Sequence, residues 1–323
     1  MSILQWIDAK SVEEAVSLLS ADESGTTIAK AGGMDLLDLI KEGIIAPTRI
    51  VNLQRIDALR GVQLDDSTGL RLGALTTLAE IASHASIRQH YPALAAAAAH
   101  AATPQVRNAA TIGGNLLQRP RDWYFRNELF HAERNELGRE QSQYGAIFDN
   151  AKTAMVHAST PATALLAYGA SVHVVGKSGK SRTIALADFL LPPDFDRDRD
   201  TTLGKDEVLT HISVPPLAAN TRAAYHKQTE RDSYDWPICD VAVVLTVANR
   251  KVEAARIVVG AVAPVPRRMT ASEELLRDRE IDETLAAEAG RAAARGATPT
   301  EKNSYKIPVL EAVIRRTILA AMA

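Results

Sequence analysis

The first regular pattern along the chain is a helical one close to its start. Apolar side chains recur with the spacing of one helical face at Val12, Ala15, Val16 and Leu19. Ser11 stands just before them, and Glu14 follows three residues later, which is the arrangement of a capping box. The pattern therefore predicts a helix that begins at Ser11 and ends at Leu19.

Short apolar runs alternate with helical patterns through the first two-thirds of the chain. The runs predict strands at 26–31, 50–53, 69–73, 172–175, 182–184 and 208–216. The helical patterns predict helices at 35–42, 76–81, 92–102 and 161–169. The segment 176–179 joins two of these strands as a hairpin turn. Alternating strands and helices indicate an α/β or α+β fold.

The pattern changes after a Pro pair at 215–216, and we predict a domain boundary near residue 220. Beyond it, strands are expected at 241–248 and 255–261, and helices at 271–277 and 309–322. A length of 323 residues is consistent with two domains. The predicted domains are therefore 1–220 and 221–323.

Two segments lack a regular pattern. The segment 118–153 mixes arginine with aromatic residues. It is longer than a simple connecting loop, which favours a functional role. The alternative is a solvated insertion, which is the most frequent interpretation of such a mixture. Its arginine and aromatic residues are Arg119, Arg121, Arg126, Arg134 and Arg139 with Trp123, Tyr124, Phe125 and Phe130. The charged segment 192–200 is predicted to be a surface loop.

Composition and charge narrow the possible functions. Hydrophobic residues make up 46% and the net charge is −2, so a globular protein is expected without the basic field of a nucleic-acid-binding protein. No apolar run is long enough to span a membrane, and the N-terminus lacks the basic region of a secretory signal. A single cysteine, Cys239, leaves no internal disulfide and no cysteine-bound cluster, and we expect no metal site.

Two glycine pairs are candidate anion-binding motifs. Ala31-Gly32-Gly33-Met34-Asp35-Leu36 is echoed by Thr111-Ile112-Gly113-Gly114-Asn115-Leu116. A glycine pair allows a turn at positive φ, and bare N–H groups in such a turn form an anion site. Two such turns could hold one pyrophosphate. Each could also be an ordinary turn, with Asp35 an ordinary acid at a helix start.

Other nucleotide motifs are absent or incomplete. Gly176-Lys177-Ser178 resembles the end of a P-loop, but Ser171 stands where its first glycine should be, and strands flank it on both sides. No G-x-G-x-x-G occurs, which makes a Rossmann-type dinucleotide site unlikely. Lys227 follows a predicted strand near Arg231, and its simplest interpretation is a surface charge.

The two glycine motifs and the order of the elements between them resemble the FAD-binding medium subunit of molybdenum hydroxylases, the xanthine, carbon monoxide and aldehyde dehydrogenase family. The resemblance extends over the whole chain and includes the tail 257–268. It implies an α+β fold. Residues 1–220 would form a vanillyl-alcohol-oxidase (PCMH) type FAD-binding domain of two subdomains, and residues 221–323 a smaller α+β domain like the carbon monoxide dehydrogenase flavoprotein C-terminal domain.

The resemblance also implies a set of FAD-binding residues and no catalytic side chain. The diphosphate would be held by main-chain N–H groups of the two motifs and by the Thr111 hydroxyl, and Lys227 would lie near the isoalloxazine, where a cation stabilises reduced flavin. The implied residues are Ala29, Lys30, Ala31, Gly32, Gly33, Met34, Asp35, Leu36, Ala101, Ala102, Thr111, Gly113, Gly114, Asn115, Thr160, Leu209 and Lys227.

The chain departs from the family pattern at two places. Thr160 stands where the family often has an acid that contacts the nucleotide end. The segment 117–126 resembles a loop that carries a four-iron cluster in one branch of the family, yet Asp122 occupies the place of its first cysteine. The loop is therefore expected without the cluster.

The implied function is electron transfer within a complex. The flavin would take electrons from the 2Fe-2S clusters of a small subunit, supplied by a molybdopterin-binding large subunit, and pass them to an external acceptor. A self-sufficient flavin oxidase or reductase and a flavin-free scaffold subunit stay open as alternatives. The expected location is cytoplasmic, with periplasmic co-export alongside a partner as the alternative.

Overall fold

The protein is described from a computed structural model. The structure describes residues 4–22, 25–127, 142–150, 154–193, 199–232 and 234–323. Three residues named above, Phe130, Arg134 and Arg139, lie outside the described residues, as does most of the charged segment 192–200.

The chain begins with a small parallel sheet and two helices. Its strands are β1 (Gln5–Asp8), β2 (Thr27–Lys30) and β3 (Arg49–Asn52), in the order β1-β3-β2. Its helices are α1 (Val12–Ser20) and α2 (Leu36–Lys41). The Ser11 hydroxyl accepts a hydrogen bond from the Glu14 N–H at 3.1 Å, which begins α1 as predicted.

A five-stranded antiparallel sheet follows, with the order β4-β5-β8-β6-β7. Its strands are β4 (Val62–Asp65), β5 (Gly69–Gly73), β6 (Ser171–Val175), β7 (Ser181–Ala185) and β8 (Val208–Val214). The helices of this part are α3 (Leu78–Ser83), α4 (Ala85–His90), α5 (Pro92–Ala99), α6 (Pro104–Ala109), α7 (Ile112–Leu116), α8 (Thr160–Ala167) and α9 (Leu186–Phe189). The hairpin predicted around 176–179 is confirmed as β6–β7.

Two helices of this second part are buried on nearly all sides. α5 is a run of small side chains, and Ala93 and Ala97 are completely buried in it. α8 is buried along its whole length. Because alanine projects only one methyl group, α5 packs closely against α3, α8 and a strand of the C-terminal sheet.

A four-stranded antiparallel sheet and three helices form the C-terminal part. The strands, in the order β12-β11-β10-β9, are β9 (Thr221–Gln228), β10 (Cys239–Ala248), β11 (Lys251–Gly260) and β12 (Arg267–Arg268). The helices are α10 (Thr270–Leu276), α11 (Glu283–Ala293) and α12 (Lys306–Met322). The expected α+β class is confirmed.

The two faces of the C-terminal sheet pack into different cores. Val241 and Val243 of β10 lie in a core with the C-terminal helices, whereas Ala242 and Val244 lie in the core that holds α5 and α8. This follows from the alternation of side chains along a strand. A predicted boundary at 220 falls between β8 and β9, and the division into 1–220 and 221–323 stays a prediction.

Candidate functional site

A cavity of about 960 Å³ lies between the first parallel layer and the α5–α7 region. The residues implied by the resemblance come from β2, the loop before α2, the end of α5, the start of α7, α8, β8 and β9. All of them line this cavity: Ala29, Lys30, Ala31, Gly32, Gly33, Met34, Asp35, Leu36, Ala101, Ala102, Thr111, Gly113, Gly114, Asn115, Thr160, Leu209 and Lys227.

The loop from Ala31 to Asp35, here called the glycine loop, joins β2 to α2 and needs both of its glycines. Gly33 has φ +82°, a conformation that side-chain-bearing residues rarely adopt. A Cβ at Gly32 would lie 2.0 Å from the carbonyl oxygen of Ala109 at the end of α6. Positive φ therefore requires the second glycine, and close approach of another backbone requires the first.

The main-chain N–H groups of the glycine loop are available as hydrogen-bond donors within the part of the chain that the structure describes. Within the described ranges, no acceptor meets the N–H groups of Ala31, Gly32, Gly33 or Met34. Neighbouring N–H groups without protein partners are the composition of an anion-binding nest. The glycine loop thus has the composition of a site that could donate hydrogen bonds to an anion.

The second motif is different, and two expectations about it are wrong. Gly113 and Gly114 belong to α7 and have no positive φ. The N–H groups at the start of α7 are not bare, because each already has an acceptor within the chain. Ile112 donates to the Thr76 carbonyl at 2.9 Å, Gly113 to the Ala74 carbonyl at 2.9 Å, and Gly114 to the Thr111 hydroxyl at 3.2 Å.

The glycines of α7 serve close packing. A Cβ at Gly113 would lie 2.9 Å from both the Cβ and the carbonyl oxygen of Ala74. A Cβ at Gly114 would lie 3.1 Å from the Thr111 hydroxyl oxygen and 3.7 Å from the Ala31 Cβ. Gly113 therefore lets α7 pack closely against Ala74, while Gly114 lies beside Ala31 of the glycine loop, and both motifs line the cavity.

Asp35 anchors the segment that follows α7. Its carboxylate lies 2.9 Å from the Arg121 guanidinium and 2.7 Å from that of Arg126, and it also accepts from the Arg119 N–H at 2.9 Å. Its side chain makes no cap hydrogen bond to α2, so it is not an ordinary helix-capping acid. The described part of the 118–153 segment is therefore tied to the cavity wall, and the expectation of a merely solvated insertion is wrong for it.

A second ion pair holds this segment from the other side. The Arg119 guanidinium donates to the Asp200 carboxylate at 2.8 Å, and both side chains are almost fully buried. Asp200 belongs to the segment predicted as a charged surface loop, and the prediction is wrong at this residue.

Asp122 accepts from the N–H groups of Tyr124 and Phe125 at 2.9 and 3.1 Å, which closes a turn.

Asn115 connects α7 to α8. Its side-chain oxygen accepts from the Ser159 hydroxyl at 2.5 Å, and the same hydroxyl caps α8 by accepting from the Ala162 N–H. His157 bonds the Leu116 carbonyl through Nε2 at 3.2 Å and accepts the Ser159 N–H through Nδ1. Burial lowers the pKa of His157 to about 4, so the ring is neutral. Thr160, where the resemblance implied an acid in related proteins, is buried and donates to the Ala97 carbonyl at 3.2 Å.

Lys227 is not an isolated surface charge. Its ammonium group donates to the carbonyl of His100 at 2.8 Å, immediately before Ala101 and Ala102. Burial lowers the pKa of Lys227, and the charges of Asp240 and Asp235 act in the opposite direction. Ala102 has φ +43°, which turns the chain from α5 toward α6. Lys227 therefore adds a partly buried cation to the cavity.

The cavity also contains residues that the motifs did not indicate. They include Thr26, Thr27, Arg119, Arg121, Phe125, Leu203, Lys205, Tyr234, Asp235 and Trp236. The arginine and aromatic mixture next to the second glycine motif was a signal for the 119–125 part. Residues 203 and 234–236 had no recognisable sequence signal, because irregular loops bring them to the cavity.

Two further properties concern metals and membranes. Among the described residues, no group of three or more histidine, cysteine, aspartate or glutamate side chains could hold a metal ion. Cys239 is fully buried in the C-terminal core, and burial raises the pKa of its thiol to about 12. In the same described ranges, no helix has both the length and the hydrophobicity to span a bilayer.

The fold and the glycine-loop cavity define a class of protein in which a small parallel sheet, an antiparallel sheet and the helices between them contribute residues to one cavity. The family described as the FAD-binding domain in molybdopterin dehydrogenase matches residues 2–217, and the carbon monoxide dehydrogenase flavoprotein C-terminal domain matches 224–321. The chain belongs to this family of FAD-binding oxidoreductase subunits. The predicted resemblance, the PCMH-type fold and FAD as the cofactor are thereby confirmed.

Similar proteins cover nearly the whole chain. The FAD-binding subunit of aldehyde oxidoreductase, PaoB, from Escherichia coli is 30% identical over 91% of this chain and 89% of its own. The carbon monoxide dehydrogenase medium chain of Hydrogenophaga pseudoflava is 28% identical over 97% of this chain and 95% of its own. A solved structure of carbon monoxide dehydrogenase from that organism has a TM-score of 0.79 at 27% identity, covering 99% of this chain and 97% of the other.

Proposed function

We propose that this chain is the electron-transfer subunit of a molybdenum-containing hydroxylase or dehydrogenase complex. Electrons reach it from the 2Fe-2S clusters of a small subunit, which receives them from a molybdopterin-binding large subunit, and they leave to an external acceptor. The observation that carries this proposal is the glycine loop, whose N–H groups meet no acceptor within the described ranges and which lies beside α7 in a cavity of about 960 Å³. The complex is proposed to be cytoplasmic, or periplasmic when co-exported with a partner.

The chain's own residues bind and orient the cofactor. FAD, when bound, supplies the exchange of one or two electrons. In this proposal the glycine loop and the Thr111 hydroxyl hold the diphosphate, and Thr160 lies toward the nucleotide end. Ala101, Ala102 and Leu209 form an apolar wall for the ring system, and Lys227 provides a cation that stabilises negative charge on the reduced ring.

The arrangement of Asp35 and Lys227 does not favour catalysis on an organic substrate by this chain alone. Two ionisable side chains of the cavity are already engaged, Asp35 by three donors from the 119–126 segment and Lys227 by the His100 carbonyl. They do not form the adjacent nucleophile and base that covalent catalysis needs. This favours an electron-transfer subunit over a self-sufficient oxidase.

The proposal is tested by comparing the isolated chain with the assembled complex. The chain alone should be yellow and should transfer electrons only between a reductant and an artificial dye. Bleaching of its flavin by an aldehyde or a purine should require both partner subunits, and omission of the 2Fe-2S subunit should abolish it. A colourless chain that still assembles the complex would favour a scaffold. Bleaching of the isolated chain by an organic substrate would favour a self-sufficient oxidase.

A further inference from the structure

One buried carboxylate lies behind the cavity wall without a place in the function proposed above. Asp240, at the start of β10, is 2% exposed. It pairs across the antiparallel ladder with Lys227 of β9. Residues directly opposite in such a ladder project from the same face, so the carboxylate is the cross-strand neighbour of Lys227, one of the cationic residues that line the cavity.

The structure makes room for this carboxylate at the expense of a side chain on the next strand. Gly260 of β11 is the partner of Asp240 on its other side. A Cβ at Gly260 would lie 2.3 Å from an Asp240 carboxylate oxygen and 2.4 Å from the Thr163 hydroxyl oxygen. No residue with a side chain fits at position 260 while the Asp240 carboxylate stays where it is.

The groups that face Asp240 come from two packed elements. From β9, the Tyr225 hydroxyl donates to the carboxylate at 3.1 Å, and the Lys227 ammonium acts as the nearby cation. From α8, Thr163 brings its hydroxyl group against the same site. The thiol of Cys239 adjoins it in the chain but belongs to the opposite core. Lys227 is therefore the cation that faces this carboxylate.

We propose that Asp240 is a positioning residue for the flavin: it sets the net charge of the Lys227 site and takes up a proton when the flavin is reduced. The inference rests on the proposed FAD site, with Lys227 near the isoalloxazine. The ring system takes two electrons from the partner clusters and one proton from solvent to reach its anionic reduced form. A second proton from solvent forms the O–H bond of the Asp240 carboxyl group, so reduction makes the site less negative than it would be with Asp240 ionised.

Electrostatic linkage makes this coupling reciprocal. Negative charge on the reduced ring favours the neutral form of Asp240, and neutral Asp240 leaves the Lys227 cation uncompensated, which favours reduction. Burial raises the pKa of Asp240 to about 7, while the Tyr225 hydrogen bond and the Lys227 charge act to lower it. The carboxyl group can therefore exchange its proton close to neutral pH.

The test is the pH dependence of the flavin midpoint potential in the full chain with bound FAD. The wild-type plot from about pH 5 to about pH 9 should show an inflection from one additional proton taken up with the electrons. Asp240→Asn should remove the inflection and raise the potential at alkaline pH. Tyr225→Phe removes a hydrogen bond to the ionised form and should move the inflection to higher pH. Asp66→Asn, at an exposed acid, is the control and should match wild type.

The outcomes separate this inference from the proposed function. A wild-type chain that binds no FAD would overturn both. Full FAD content with wild-type, Asp240→Asn and Tyr225→Phe plots that coincide would overturn the role of Asp240 alone. If Asp240→Asn does not fold, the pH of the inflection in Tyr225→Phe tests the role of Asp240. A purely structural role for Asp240 would leave that inflection at the wild-type pH.

Discussion

The Asp35 carboxylate lies 2.7 Å from the Arg126 guanidinium, and this ion pair joins the glycine loop to the 118–127 segment. Arg126 also donates to the carbonyls of Pro120 and Arg119, at 2.7 and 3.0 Å, so the same side chain folds its own segment. One residue pair thus connects the loop proposed to hold the diphosphate to the segment that resembles a cluster-binding loop in sequence.

We expect Asp35→Asn to lower the free energy of unfolding by about 3 kcal/mol, because it removes the less exposed of the two carboxylates that two mostly buried guanidinium groups share. FAD affinity should fall with it, since the loop loses its anchor. Urea unfolding of the FAD-free chain and titration with FAD measure the two effects. Asp38→Asn, at a more exposed acid that also pairs with Arg121 and Arg126, is the matched control with a smaller loss. Equal losses in the two variants would contradict the prediction.

A second prediction separates backbone strain from cofactor binding. Gly33→Ala and Gly179→Ala both place a side chain at positive φ, +82° and +72° respectively. Each should lower stability by about 1–2 kcal/mol for that reason. Only Gly33 lines the cavity, so only Gly33→Ala should reduce FAD occupancy, as measured by the ratio of flavin to protein absorbance. Flavin loss in Gly179→Ala as well would mean that general destabilisation, not the loop, controls binding.

A third prediction concerns iron. The chain purified without partners should contain no stoichiometric iron or acid-labile sulfide, by elemental analysis and sulfide assay. Asp122 closes a turn by accepting two main-chain N–H groups, and the one cysteine is buried in the distant C-terminal core. Four irons per chain would refute this interpretation of the 117–126 loop.

A fourth prediction follows from a buried lysine. Lys306 donates to the carbonyls of Tyr144 and Ala261 at 2.6 and 2.8 Å, and burial lowers its pKa to about 7. The unfolded chain therefore binds this proton more tightly than the folded chain does. Stability contributed by this group rises as pH increases from about 7 to about 10, where the unfolded lysine also loses its proton. Lys306→Met should flatten the pH dependence of unfolding over that interval, measured by urea titration at several pH values. An unchanged slope would show that the lysine is not responsible.

Much of the fold could be predicted because hydrophobic periodicity marked it directly. The helix after Ser11, the β6–β7 hairpin and the long C-terminal helix all have clear periodic patterns. Strand β9 was missed because one of its faces is polar and exposed. Helix α11 was missed because it contains Gly290, where a Cβ would lie 2.5 Å from the Glu311 carbonyl oxygen of α12.

The candidate site could also be predicted only in part from the sequence. The glycine pairs could be found from the sequence, but their physical roles could not, because a glycine needed for positive φ and one needed for close packing look the same. Gly33 is of the first kind and Gly113 of the second. The partners of Asp35 lie in a segment with no periodic pattern, and only the folded chain brings Arg121 and Arg126 to it.

The two-faced C-terminal sheet has a consequence for the order of events during synthesis. Lys227 and the face of β10 that covers α5 and α8 come from the last third of the chain. The glycine loop emerges from the ribosome early, but the wall opposite it exists only after β9 and β10 have been translated and have paired. We therefore expect complete FAD binding only after β9 and β10 have formed, and a nascent chain arrested before β9 has the glycine loop and α7 but lacks Lys227.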